Sequence, residues 1–341
     1  GLLMSFNRVG TPTFYIDAVL LARQWGAIQY ENTQGKFKLN PSKIESYDNW
    51  GSDYKIWFTT HFKTRYWLNS LSHCFVLGHN LKALEDVGFY VKLQGAAEDS
   101  NYGSWTISQD YPVQDVNPIW NGWTKHTFEP LENIVASRLA VNFLNNNTNN
   151  IPIVKLGDIS AGWSFKMPNA PDLELTQTFS NESIKTQTTK SGATLTNSGY
   201  NSQPQWIRQP WLRDEIEYTE GDYGNYALKG GLVSPVGRRS WNLKFSFLSD
   251  TGLFPEFHNG DSNDNGIFEW YQSEEVAHFK IKDDFLSKCY HGTNGFQLAF
   301  IFQPNSDVEE YAICRVVNKS MKFDQVASNV YNCSLNIVEV W

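Results

Sequence analysis

Long apolar runs are missing from this 341-residue chain. None approaches the roughly 20 residues that a bilayer-spanning helix needs, so no membrane insertion is expected. The opening GLLMSFNRVG holds one arginine and no apolar stretch of leader length, so no secretory leader is expected either. Runs of Lys and Arg are also missing. With 28 basic against 36 acidic residues the formal net charge is −8. Such a chain lacks the basic face that neutralises phosphates, and nucleic acid is not an expected partner. Cysteine is scarce: Cys74, Cys289, Cys314 and Cys333 show no C-x-x-C spacing. They read as small buried hydrophobes rather than as a disulfide frame or a zinc site. No G-x-S-x-G, H-E-x-x-H, Walker or G-x-G-x-x-G pattern occurs. The expectation is a protein that is not an enzyme and carries no cofactor.

What is present points to β-structure. Aromatics reach 15%, with 13 Trp, 16 Tyr and 22 Phe, while Ala-, Leu- and Lys-rich stretches are few. That mix suits pleated surfaces and turns. Ile16, Val19, Leu20 and Arg23 predict one short helix over residues 11–26, stopped at Gly26. Strands are expected at 36–39, 55–62, 74–77, 88–93 and 138–144. In the last, Leu139, Val141 and Phe143 alternate with Arg138, Ala140 and Asn142. HCFVLGHNL (73–81) reads as a buried strand closed by a tight turn, with Gly78 supplying positive φ. Residues 99–123 read as a long surface loop carrying Trp105, Trp120 and Trp123.

After KLGDISAGWSF (155–165) the composition shifts to Thr, Ser and Asn, with Pro168 and Pro171 at the change. The expectation is an all-β chain of two antiparallel sandwich-type domains, 1–165 and 166–341, with few short helices. In the second part Trp241, Leu243, Phe245 and Phe247 face one way, with Asn242, Lys244 and Ser246 opposite. Phe285, Leu286 and Cys289 space as one face of a short helix over 283–290. FQLAFIFQP, YAICRVV and NVYNCSLNIVEVW read as three closing strands.

Two resemblances attach to these segments. Phe75–Leu81 and Arg138–Trp163, with the ending KLGDISAGWSF, resemble the galactose-binding-like, discoidin-type β-sandwich of tailed-phage tail proteins over residues 12–165. GRRSWNLKFSFL, LAFIFQP and the Glu339-Val340-Trp341 ending, with MPNAPDL and KTQTTKSGATLTN, resemble tail and baseplate virion proteins of tailed bacteriophages. The resemblance implies a structural virion component, assembled in the host cytoplasm, that binds itself in a ring and touches other tail proteins. A host-surface carbohydrate module is the alternative it leaves open.

His79 could be a base, but no orienting group and nucleophile can be nominated beside it, and a turn-fixing role is the simpler reading. Asp261, Asn263 and Asn265, followed by Gly266 and Glu269, resemble the first part of a calcium loop. Gln272 stands where the bidentate acid belongs, so a solvated loop is favoured over a metal site. Trp105, Trp120 and Trp123 are candidates for a protein interface or for stacking on sugar. Arg238 and Arg239 are expected to make charged contacts to a neighbouring subunit.

Overall fold

In this computed structural model the described residues are 9–39, 45–62, 71–81, 84, 87–96, 105–112, 123–127, 138–173, 175–180, 184–198, 238–255, 268–273, 276–318 and 320–340. The fold is mainly β, of antiparallel sandwich type. The first strands are β1 (Thr13–Asp17), β2 (Ile28–Asn32), β3 (Glu45–Tyr47), β4 (Lys55–Phe62), β5 (His73–Leu77) and β6 (Val87–Ala96). Then come β7 (Trp105–Pro112), β8 (Trp123–Thr127), β9 (Arg138–Asn145), β10 (Val154–Leu156) and β11 (Asp158–Lys166). The second part supplies β12 (Thr176–Ser180), β13 (Ile184–Thr188), β14 (Thr194–Ser198), β15 (Arg238–Ser249), β16 (Phe268–Ser273) and β17 (Val276–Ile281). The last four are β18 (Phe300–Gln303), β19 (Ala312–Val316), β20 (Phe323–Ala327) and β21 (Val330–Glu339).

Ten strands form one sheet in the order β12-β15-β21-β19-β18-β1-β11-β5-β8, with β20 on β21; five form a second, β2-β4-β9-β6-β7. The larger sheet takes strands from both sides of residues 165 and 166. β1 pairs with β11 along one edge and with β18 along the other. One core serves both parts: Phe14, Cys74, Ile159 and Trp163 lie in the same cluster as Trp241, Phe285, Phe302 and Leu335. Phe58, Val141 and Phe143 bring the inner face of the smaller sheet into that cluster, so the two sheets enclose it. The two parts are therefore joined through a shared sheet and core. All four cysteines are free and buried, and burial raises each thiol above its ordinary value.

Several expectations are corrected. Residues 11–26 do not form one helix: Thr13–Asp17 is a central strand, and the helix α1 is Ala18–Gln24. The β-branched and aromatic TFYI is claimed by strands on either side. Asp17 Oδ1 then accepts from Leu20 N–H at 2.8 Å, capping the helix that begins just after it. Residues 36–39 are not a strand but an irregular bend, with positive φ at Phe37 and Leu39, after a turn closed by Lys36 N–H on Thr33 O. The surface loop expected over 99–123 contains β7, which pairs with β6, and β8 begins at Trp123. Phe247 does not join Phe245 in the core, because β15 bulges between Phe245 and Leu248. The helix expected at 283–290 is a π-helical turn, Leu286–His291, that still buries Cys289 and is capped by Gly292.

Candidate functional site

The polar groups of the larger sheet are mostly locked inside the chain. Arg239, on β15, is fully buried. Its backbone N–H and Nε donate to Glu339 Oε2 at 3.0 and 3.1 Å, and Nη2 donates to Oε1 at 3.0 Å. Nη1 reaches Glu310 Oε1 at 2.6 Å and Nη2 the Tyr311 carbonyl at 3.3 Å. The guanidinium also lies 5.1 Å from the centre of the Trp241 ring. Burial alone would lower the arginine's pKa, but the Glu339 and Glu310 carboxylates together with Cys314 outweigh it and hold the cation above its ordinary value. Arg239 thus spends its donors on its own chain. Arg238 is half-buried, and its carbonyl accepts from Ser180 Oγ at 3.1 Å.

The outward face of the same sheet holds a second cluster, in which Tyr15, Phe75, Tyr311 and Ile313 bring both parts of the chain together. Tyr15 Oη donates to Gln303 Oε1 at 2.8 Å. Lys125 Nζ lies over both phenol rings, 5.6 Å from Tyr15 and 5.3 Å from Tyr311. Burial lowers the Lys125 pKa, and Glu309 opposes that shift. Burial, then the charge of Glu309, raises both phenols. His73 packs edge-on against Tyr15 with ring centres 5.0 Å apart, and its Nε2 is buried with no hydrogen-bond partner. Burial pushes its pKa down to about 3.

His79 has the turn-fixing geometry. Its Nδ1 accepts from Leu81 N–H at 3.2 Å, so Nε2 carries the proton and donates to Thr124 Oγ1 at 2.7 Å. Burial lowers its pKa to about 4. Gly78 takes φ +68° ahead of it. The Asn80 side chain donates to Ile153 O and accepts from Lys155 N–H, tying the turn to the segment before β10.

Asp17 is buried, and burial raises its carboxyl to about 7 against the stabilising Leu20 N–H. Ser160 Oγ lies near enough to favour the ionised form, yet neither it nor Asp17 Oδ2 completes a hydrogen bond. Among the described residues no three His, Cys, Asp or Glu side chains converge as a metal site would require. The calcium-loop candidates Asp261, Asn263 and Asn265 lie outside the described residues, and Glu269 falls within β16. No helix among the described residues is long and apolar enough to cross a membrane.

Among the described strands, one end of the larger sheet has no further partner. β12 hydrogen-bonds to β15 alone among the described strands, through Thr176↔Asn242 to Ser180↔Arg238. Its sequence, TQTFS, contains no charge and no proline. The other outer strands of the two larger sheets differ: β7 carries Asp110 and Pro112, β8 carries Lys125, β20 carries Asp324, and β2 carries Glu31 in an ion pair with Arg23. Beside this edge Leu173 is fully exposed, Phe179 is 44% exposed and Phe247 76%. Phe247 sits at φ +59°, a strained conformation for an aromatic residue, with its N–H donating to Asn332 Oδ1. An uncharged open edge with apolar neighbours can take up an extended strand through backbone hydrogen bonds. Pattern reasoning missed this edge because it placed Phe247 in the core. The lack of any charge in TQTFS was the available signal.

Trp105 and Trp123 begin β7 and β8, in register with Ala96 and Leu77; Trp120 lies outside the described residues. No family model, curated protein or solved structure matches the chain.

Proposed function

We propose that the chain is a structural component of a tailed-bacteriophage virion, placed in the tail or baseplate and acting by protein–protein assembly. The observation that carries this reading is the uncharged outer edge of β12, beside Leu173 and Phe247, which has no partner among the described strands. It supplies a seam for strand addition next to β15, the strand whose buried Arg239 is already paired within the chain. Further support is that the segments resembling tail proteins meet in that sheet. RRSWNLKFSFL lies on β15 and VYNCSLNIVE on β21, which pair with each other, and FIFQ forms β18. Repeated contacts of this kind close into rings when the copies are related by rotation.

Immunogold labelling of intact particles, with mass spectrometry of purified ones, tests the reading. The chain is expected at a fixed position on the tail and in fixed ratio to other tail proteins. Purified particles that lack it would overturn the proposal.

A further inference from the structure

The smaller sheet has a second face, turned away from the shared core. Residues 56, 58 and 62 of β4 and 139, 141 and 143 of β9 enter the core, so their alternates occupy this opposite face. Register places Trp57 opposite Asn142, Thr59 opposite Ala140 and His61 opposite Arg138. Thr59 and Ala140 are small and buried, 3% and 0% exposed, and lie between two larger pairs that act as walls. The Trp57–Asn142 pair makes one wall; His61 and Arg138 make the other, with the exposed Tyr30 ring 5.4 Å from His61. Two cations lean on the tryptophan: Lys55 Nζ lies 5.5 Å from the ring centre and the Arg138 guanidinium 5.9 Å. Trp57, His61 and Arg138 are each partly open to solvent.

Asn142 sets this face apart. Its side chain is 2% exposed, and neither Nδ2 nor Oδ1 has a hydrogen-bond partner. A buried amide with both ends unsatisfied opposes folding, and an apolar residue of the same shape would avoid that loss. A donor and an acceptor held side by side match two adjacent hydroxyls on a ring, since each hydroxyl can both give and take a hydrogen bond. An aromatic face next to such a polar pair fits the apolar C–H face of the same ring.

We infer that this face binds carbohydrate. Movement of the Arg138 side chain off the indole uncovers both Trp57 and the buried Asn142 amide; the sugar ring then stacks on Trp57, and neighbouring hydroxyls exchange two hydrogen bonds with the amide. Lys55 and Arg138 favour sugars that carry a carboxylate over neutral ones. The inference uses residues other than Trp105, Trp120 and Trp123, and it stands whether or not the chain belongs to a phage tail.

The test is a glycan array of neutral and acidic oligosaccharides probed with the full chain, followed by titration of any retained glycan while tryptophan fluorescence is read. The expected result is retention of acidic glycans with a change in fluorescence. Asn142→Leu and Trp57→Ala are each expected to weaken binding by about tenfold or more, the factor that ~1.4 kcal/mol corresponds to. Asn142→Leu keeps the shape of the side chain, so its melting temperature should hold or rise as binding falls. No retained glycan, or binding unchanged in Asn142→Leu, would overturn the inference. A fall in the melting temperature of Asn142→Leu would also overturn it, by giving the amide a structural role. Failure on the array leaves the assembly reading intact, and absence from particles leaves the carbohydrate site intact.

Discussion

Arg239 and Asn142 are both buried polar residues on β-strands, and their surroundings differ in kind. The guanidinium on the larger sheet meets two carboxylates, a carbonyl and an indole ring. The amide on the smaller sheet meets no hydrogen-bond partner. A buried charge is tolerable only when paired, because its desolvation is far costlier than that of a neutral amide. Arg239 without its network would not stay buried, whereas Asn142 can remain unpaired at a smaller cost. The comparison separates groups that hold the fold together from one that is available to something else.

Removing a partner from the locked side should have the largest effect. Glu339→Ala leaves Arg239 buried beside a single remaining carboxylate, Glu310, and is expected to cost about 3–5 kcal/mol in urea unfolding. The double variant Arg239→Met, Glu339→Leu should regain most of that loss, since a well-packed apolar pair of similar volume is often neutral. A small loss from Glu339→Ala would erase the distinction drawn between the two residues.

Acid should act next, again on the larger sheet. An unfolded histidine takes its proton near the ordinary value, whereas folded His79 waits until about 4 and His73 until about 3. Their contribution is complete above pH 6.5 and is lost as the pH falls below it. Asp17, raised from 3.8 to about 7, runs the other way, its contribution fading as the pH rises between those values. Two histidines against one carboxyl leave a net loss of up to about 1.4 kcal/mol per pH unit from 6.5 down to 4. Melting temperatures at pH 7, 6, 5 and 4 check the slope, and a flat or rising curve at acid pH would contradict it. The smallest change in stability belongs to Asn142→Leu, which is expected to be neutral or to gain up to ~1 kcal/mol.

Part of the strand content was legible because period-2 alternation survives wherever one face is apolar and the other more polar. Leu139, Val141 and Phe143 on β9, and Cys333, Leu335 and Ile337 on β21, read correctly for that reason. The segment TFYID misled because a strand buried on both faces has no alternation, and its apolar spacing ran on into the true helix. β7 was hidden in a polar stretch whose pairing with β6 is a long-range fact. The turn-fixing role of His79 could be read from its position after Gly78, although its partners Thr124 and Leu81 could not. Arg239 looked like a surface contact because its partners, Glu310 and Glu339, lie 71 and 100 residues further along the chain. Asn142 carried no local signal, since an unpaired amide is defined by neighbours that are absent.

By itself the sequence determined the β class, the hydrophobic role of the cysteines and the strand-and-turn at HCFVLGHNL. These are local properties of propensity and periodicity. Only the tertiary structure decided that residues on both sides of 165 share one sheet, that Arg239 turns inward, and that β12 is the outermost of the described strands at its end of that sheet. It also decided that Asn142 is buried without a partner. Each depends on which strands lie side by side, and backbone pairing between distant segments leaves little trace in the residues that make it.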